Sequence, residues 1–67
     1  MNFAKRLKEQ LIWNGITQKE LAKMVNTTQG NVSNWVTGRN EPTVKQLVKI
    51  CIVLNTTPNE LLDFKTY

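Results

Sequence analysis

Two helix-start signals lie close together in the first half of the chain, and they constrain the fold more than any other feature. Thr17 is followed three residues later by Glu20, the spacing of a capping box, and Thr28 can cap a second short helix. Asn26 lies between them, where a tight turn needs a left-handed backbone that asparagine tolerates better than most residues. The sequence therefore predicts a helix-turn-helix motif over residues 17–36.

Helix signals recur along the rest of the chain, whereas strand signals are almost absent. The sequence has no sustained apolar–polar alternation and no Asn-Gly or Asp-Gly hairpin turn. Thr43 with Gln46 forms a second capping box, and Thr57 is followed by a proline and then by Glu60. We therefore predict an all-α fold, a compact bundle of five short helices: 2–13, 18–25, 29–36, one that begins after Thr43 and one that begins after Thr57.

Apolar residues at helical spacing define the predicted core. Trp13 lies off the apolar stripe of the first helix, so we expect it to be half exposed. Cys51 lies on the buried face of the fourth helix and is interpreted as a small core residue. The predicted core residues are Phe3, Leu7, Leu11, Leu21, Ala22, Val25, Val32, Trp35, Val36, Val44, Leu47, Ile50, Cys51, Leu54, Leu61, Leu62 and Phe64.

The composition excludes several classes of protein. The 67 residues make one domain, 1–67, near the lower size limit for a core without disulfides or metals. A single cysteine cannot close an intrachain disulfide, and the chain has no histidine to complete a metal site. No apolar run is long enough to span a bilayer and no signal peptide is recognisable, so a cytoplasmic protein is expected.

Charge favours a polyanionic partner and gives no support to catalysis. Nine Lys and Arg residues against five Asp and Glu residues give a net charge of +4 and a pI near 9.6. A charge of this size is also ordinary for a small soluble domain. The acidic residues are spread over separate helices and loops, so the sequence predicts no catalytic site, no cofactor and no small-molecule ligand.

Four segments together resemble the lambda-repressor-like helix-turn-helix family, the Cro and phage-repressor type. They are the run Ile-Thr-Gln-Lys-Glu-Leu-Ala that opens the motif, the segment from Thr28 to Trp35, the loop Gly-Arg-Asn-Glu-Pro, and the tail from Leu54 to Leu62. The sequence departs from the family at Leu11 and Val36, where many relatives carry an ion pair. Asn26 and Gly30 are further departures.

The resemblance implies that the second helix of the motif enters the major groove of DNA. The residues predicted to contact bases are Gln29, Gly30, Asn31, Ser33 and Asn34. Because Gln and Asn amides pair with the N6 and N7 edge of adenine, we expect a half-site with at least one critical A·T pair. Gly30 has two open interpretations, a close approach to the DNA or a position without contact.

Contacts to the DNA backbone are expected from residues on either side of the second helix of the motif. The residues predicted to contact phosphates are Gln18, Lys19, Thr28, Arg39 and Asn40. The resemblance supports the role of Gln18. For Lys19, a solvated surface charge is an equally good interpretation.

A second copy of the chain is the other predicted partner. One small domain makes few phosphate contacts, so specific binding usually needs two copies on the half-sites of a pseudo-palindromic operator. We expect a weak homodimer, strengthened on DNA, with an interface formed by Ile52, Val53, Leu61 and Phe64. The alternative is that Phe64 and Tyr67 fold back over the bundle.

Two functions remain open at this point. The first is a sequence-specific regulator of transcription that binds double-stranded DNA, most simply a phage, prophage or bacterial repressor that acts by operator occupancy. The alternative is a protein-interaction module of the same fold, such as an antitoxin or a partner-docking subunit. An RNA-binding domain fits less well because no polar face carries an aromatic stacking platform.

Overall fold

The computed structural model describes residues 3–62, and these residues form helices without any strand. The helices are α1 Phe3–Asn14, α2 Gln18–Met24, α3 Gln29–Thr37, α4 Val44–Leu54 and α5 Pro58–Leu62. The first four span 7 to 12 residues, whereas α5 is a short segment of 5 residues. The prediction of an all-α fold is confirmed. None of the helices within 3–62 has the length and apolar content needed to cross a membrane.

Capping boxes begin α2 and α4 at the predicted residues. The Oγ1 of Thr17 accepts a hydrogen bond from the backbone N–H of Glu20 at 3.1 Å, and the Glu20 carboxylate accepts one from the backbone N–H of Thr17 at 3.0 Å. Thr43 and Gln46 make the same reciprocal pair at 3.2 and 2.8 Å. These bonds satisfy backbone N–H groups that have no partner inside the helix.

The start of α5 differs in one detail from the sequence prediction. The Oγ1 of Thr57 accepts from the backbone N–H of Glu60 at 3.3 Å, and Pro58 occupies the first helical position. The carboxylate of Glu60, however, accepts from the hydroxyl of Thr56. The neighbouring threonine thus takes the place of the backbone group that would close a capping box.

Left-handed residues end the helices and make the turns between them. Asn26 has a φ of 57°, as the turn prediction required, and the N–H of Thr27 donates to the carbonyl of Ala22 at 2.8 Å. Gly38 has a φ of 80° and closes α3, a conformation that a side chain would strain. Asn55 closes α4 in the same way, with a φ of 52°.

The core gathers one stripe from each helix. Its buried members are Phe3, Leu7, Leu11, Leu21, Ala22, Val25, Val32, Trp35, Val36, Ile50, Cys51, Leu54 and Leu61, with Leu47 half-buried beside them. Leu11 and Val36 are both buried. Burial raises the pKa of the Cys51 thiol, which favours the neutral thiol. The side chain of Leu62 and the whole of Phe64 lie outside the described part of the chain.

Two side chains are more exposed than predicted. Val44 was predicted to lie in the core but is 78% exposed. It is the first residue of α4, at the margin of the buried arc, and no neighbouring helix covers it. Trp13, predicted to be half exposed, is 86% exposed near the end of α1.

Packing leaves one side of α3 open. α2 packs against α3, and α1 lies against α3, α4 and α5, while α4 also contacts α2. α3 is therefore held from behind by α1 and α2. Its other side points away from the bundle.

Candidate nucleic-acid interface

The exposed side of α3 is polar and carries no charge. Gln29, Gly30 and Asn31 are exposed, and Ser33 and Asn34 are half-buried. On the opposite side Val32, Trp35 and Val36 are only 0%, 3% and 6% exposed. The five residues predicted to contact bases therefore all reach the surface on one helix, and apolar packing holds that helix in place.

The first turn of α3 is organised by the two threonines before it. The Oγ1 of Thr28 accepts from the backbone N–H of Asn31 at 3.1 Å, which caps the helix as predicted. The side-chain amide of Asn31 also donates to the Oγ1 of Thr27 at 2.8 Å. This second bond was not predicted. It fixes the Asn31 side chain before any ligand binds and leaves its carbonyl oxygen free to accept a hydrogen bond.

Gly30 lies in open space. A Cβ atom built there would meet only the Oγ1 of Thr28, at 3.9 Å, and Gly30 has no positive φ. Neither packing nor backbone conformation within the protein therefore requires glycine at this position. Both interpretations of Gly30, a close approach to the DNA and a position without contact, stay predictions.

Hydrogen bonds hold the backbone of Arg39 and Asn40 directly after the end of α3. Their backbone N–H groups both donate to the carbonyl of Asn34, at 2.9 and 3.3 Å. Both side chains are exposed, and Arg39 forms no ion pair within the described residues. The loop thus presents an unneutralised guanidinium at the end of α3.

The remaining predicted phosphate contacts lie at the starts of α2 and α3. Gln18 is half-buried at the first position of α2, and Lys19 beside it is exposed. Thr28 is exposed, and its hydroxyl oxygen already accepts the capping bond. That hydroxyl retains its own hydrogen for donation to a ligand.

Thr37 belongs to this surface and was missed in the sequence analysis. α3 extends one residue beyond the predicted end, and Thr37 lies seven residues after Gly30, on the same side of the helix. It is exposed, and its hydroxyl donates to the carbonyl of Ser33 at 2.9 Å. One further step along the helical wheel would have found it.

The residues predicted for a dimer interface differ in exposure within the described part of the chain. Ile52 is 73% exposed, whereas Val53 is half-buried against the core. Leu61 is completely buried where α5 packs on α1, so its side chain offers no area to a second copy. Phe64 lies outside the described residues.

Comparisons with known proteins identify the family and the fold. Residues 7–61, more than half of the chain, match the profile of the Helix-turn-helix family. The structure superimposes with a TM-score of 0.86 on the DNA-binding domain (1–76) of the P22 C2 repressor, at 26% identity, over 92% of this chain and 82% of that one. A comparison with curated protein sequences finds no match.

A second solved structure shows the same fold. It is the clp gene regulator ClgR from Corynebacterium glutamicum, with a TM-score of 0.86 and 24% identity. The match covers 92% of this chain and 66% of that protein. The fold and the open polar helix thus define a helix-turn-helix protein. The chain belongs to the lambda-repressor-like helix-turn-helix family of DNA-binding proteins.

Proposed function

We propose that the chain is a sequence-specific regulator of transcription, a repressor of phage or bacterial origin that acts by occupying its operator. The observation that carries this proposal is the free polar side of α3, opposite a fully packed apolar side. A helix of this width fits the major groove, where amide side chains can read base edges. The similarity to the DNA-binding domain of the P22 C2 repressor supports the same conclusion.

In this proposal Gln29, Asn31, Ser33 and Asn34 contact bases, and Gly30 lets the backbone approach them. Because α3 carries amides but neither Arg nor Lys, adenine is the preferred partner, since guanine is more often read by arginine. Asn31 can accept from an adenine amino group without breaking its bond to Thr27.

Phosphate contacts flank these base contacts on both sides. Arg39 and Asn40 reach the backbone beyond the end of α3, and Gln18, Lys19 and Thr28 reach it near the start. Such contacts fix the position of the protein on the duplex without reading sequence. They also make the affinity depend on salt.

Two copies are proposed to bind a pseudo-palindromic operator. One domain of 67 residues covers a single half-site, and specific affinity in the usual range needs a larger interface. Half-sites about one helical turn apart, roughly 34 Å, would place both copies on the same side of the duplex. No cofactor is needed for repression by occupancy.

The test is a selection of bound sequences from a random DNA pool, followed by gel shifts on the selected site. We expect half-sites that contain at least one invariant A·T pair. Gln29→Ala and Asn34→Ala should each weaken binding to this site by about tenfold or more, since one good bidentate pair contributes about 1–3 kcal/mol. Asn14→Ala, which removes an exposed amide from α1, is the matched control and should bind normally.

A protein-interaction module of the same fold is the alternative, favoured by the exposed apolar residues on α4. It predicts that the selection returns no preferred duplex. Under this alternative Gln29→Ala and Asn34→Ala would also leave the cellular function of the protein intact. Half-sites consisting only of G·C pairs would contradict the proposed reading of adenine.

A further inference from the structure

An exposed apolar row runs the full length of α4. Val44, Val48 and Ile52 are 78%, 50% and 73% exposed. They are spaced four residues apart, so they lie next to one another along one side of the helix. Single exposed apolar residues are common on protein surfaces, but three in register over an 11-residue helix form a continuous strip. We call Val44, Val48 and Ile52 the α4 strip.

The core does not account for the α4 strip. α4 is already held through Ile50, Cys51 and Leu54, which are buried against α1, α2 and α5. The proposed DNA contacts do not account for it either, because the residues proposed to contact bases and phosphates lie on α2, on α3 and in the segments that flank α3. The strip is therefore a second surface, separate from the recognition helix.

Two lysines border the α4 strip on one side. Lys45 and Lys49 are both exposed and are four residues apart, so they form a row parallel to the strip. Neither lysine forms an ion pair with any residue in the described part of the chain. The α4 surface thus combines a row of aliphatic side chains with a row of unneutralised positive charges.

We propose that this surface docks an acidic amphipathic helix of a partner protein. An apolar row with a four-residue spacing matches the apolar side of a partner helix, whose residues recur at three and four positions. Glutamate or aspartate residues flanking that side would lie opposite Lys45 and Lys49, which fixes the orientation and speeds association. The apolar row supplies the contact area, and the lysines select for acidic partners.

The charge pattern disfavours an antiparallel second copy as the occupant. If two α4 helices packed strip to strip in antiparallel orientation about a twofold axis, Lys45 and Lys49 of both copies would lie on the same side of the contact. Like charges brought together in this way oppose association. This assigns Ile52, predicted from sequence to belong to a dimer interface, to the docking of a different protein.

The test uses a fluorescent peptide of about 15 residues, near the length at which an isolated helix becomes marginally stable. One peptide has leucines on one side and glutamates on both flanks, and its counterpart has lysines in place of the glutamates. Fluorescence anisotropy is measured during titration with the full 67-residue chain. We expect the acidic peptide to bind more tightly than the basic one, and its affinity to fall as salt is raised.

Variants of the protein identify the surface. Lys45→Glu with Lys49→Glu should weaken binding of the acidic peptide by about tenfold and strengthen binding of the basic one, because rim charges of this kind mainly control specificity. Val48→Ser with Ile52→Ser should weaken the binding of both peptides. Lys5→Glu with Lys8→Glu, an equal charge change on the exposed side of α1, is the control and should change both affinities much less.

Either of two results would overturn the proposal. The first is equal binding of the acidic and basic peptides by the unmodified chain. The second is sedimentation that shows a dimer which Val48→Ser with Ile52→Ser converts to a monomer, since a second copy would then occupy the strip. The same Ser variant should retain its affinity for the selected operator, so failure here is separate from failure of DNA binding.

Discussion

At the scale of single residues, Gly30 is expected to destabilise α3, and no contact or backbone angle within the protein requires a glycine there. It lies inside α3 without a positive φ and without a neighbour within 3.4 Å of a built Cβ. Glycine in a helix is less favourable than alanine by up to about 1 kcal/mol. A close approach of DNA, as proposed above, would give this glycine a function, whereas a position without contact would give it none.

Gly30→Ala should therefore separate stability from binding. We expect the free energy of unfolding to rise by about 0.5–1 kcal/mol, because alanine is the better helix former. If the backbone at residue 30 approaches a base, affinity for the operator should fall although the fold is more stable. Thermal unfolding and gel shifts on the same preparation measure both quantities. A variant with raised stability and unchanged affinity would assign Gly30 to a position that contacts nothing.

The network around Asn31 shows what residue types alone do not reveal. The sequence predicts an amide available for base pairing, but the structure gives one of its hydrogens to Thr27. The bond depends on how the turn places Thr27 beside the first turn of α3, which is a matter of three-dimensional placement. The prediction that Asn31 contacts a base stays a prediction, now with its side chain already oriented.

At the scale of helices, the sequence was most informative where the signals are local. Thr17, Thr28 and Thr43 cap the helices as expected because a cap involves residues only three positions apart. Asn26 likewise turns the chain by its own conformational preference. Exposure was harder to predict. Val44 shares the apolar character of the core but lies beyond the helices that cover it.

The capping box of α2 makes stability depend on pH. The hydrogen bond from the Thr17 backbone is the main cause that lowers the pKa of Glu20 below 4.5, followed by the bond with the Thr17 side chain, with Lys23 adding a smaller effect. The stabilisation is fully present above the unfolded pKa and is lost as the pH falls through the folded value. Acid should therefore loosen the start of α2.

Glu20→Gln is expected to remove part of this dependence. Glutamine keeps an oxygen that can accept from the Thr17 backbone but carries no charge to titrate. We expect the melting temperature of this variant to fall less than that of the unmodified chain between about pH 5 and pH 3. Glu9→Gln, on the exposed side of α1, is the control. An equal fall of the melting temperature in Glu20→Gln and in the unmodified chain over this pH range would contradict the role of the capping box.

At the scale of the whole molecule, two groups of exposed positive charges lie on different surfaces. Arg39 lies in the loop that follows α3, whereas Lys45 and Lys49 border the α4 strip. The first location fits a duplex and the second an acidic protein. Composition alone could not separate these uses, because it counts charges without placing them.

Arg39→Ala tests the first of these surfaces. Removing one phosphate contact should weaken binding by a similar factor on every duplex and reduce the slope of log K against log salt by about 1. Gel shifts over a range of salt concentrations, on the operator and on unrelated DNA, give this slope. Lys5→Ala on α1 serves as the control for net charge. A loss confined to one base pair of the operator would instead make Arg39 a base-reading or minor-groove residue.

The separation between the packed and open sides of α3 has a consequence for how such a protein can diverge. Gln29 and Gly30 face outward and contribute nothing to the interior, so they can be exchanged with little penalty to folding. Substitutions on the outward side can then change what α3 binds while the free energy of unfolding changes little. Under the proposed function, related chains can bind different operators by replacing a few outward residues while Val32, Trp35 and Val36 stay unchanged beneath them.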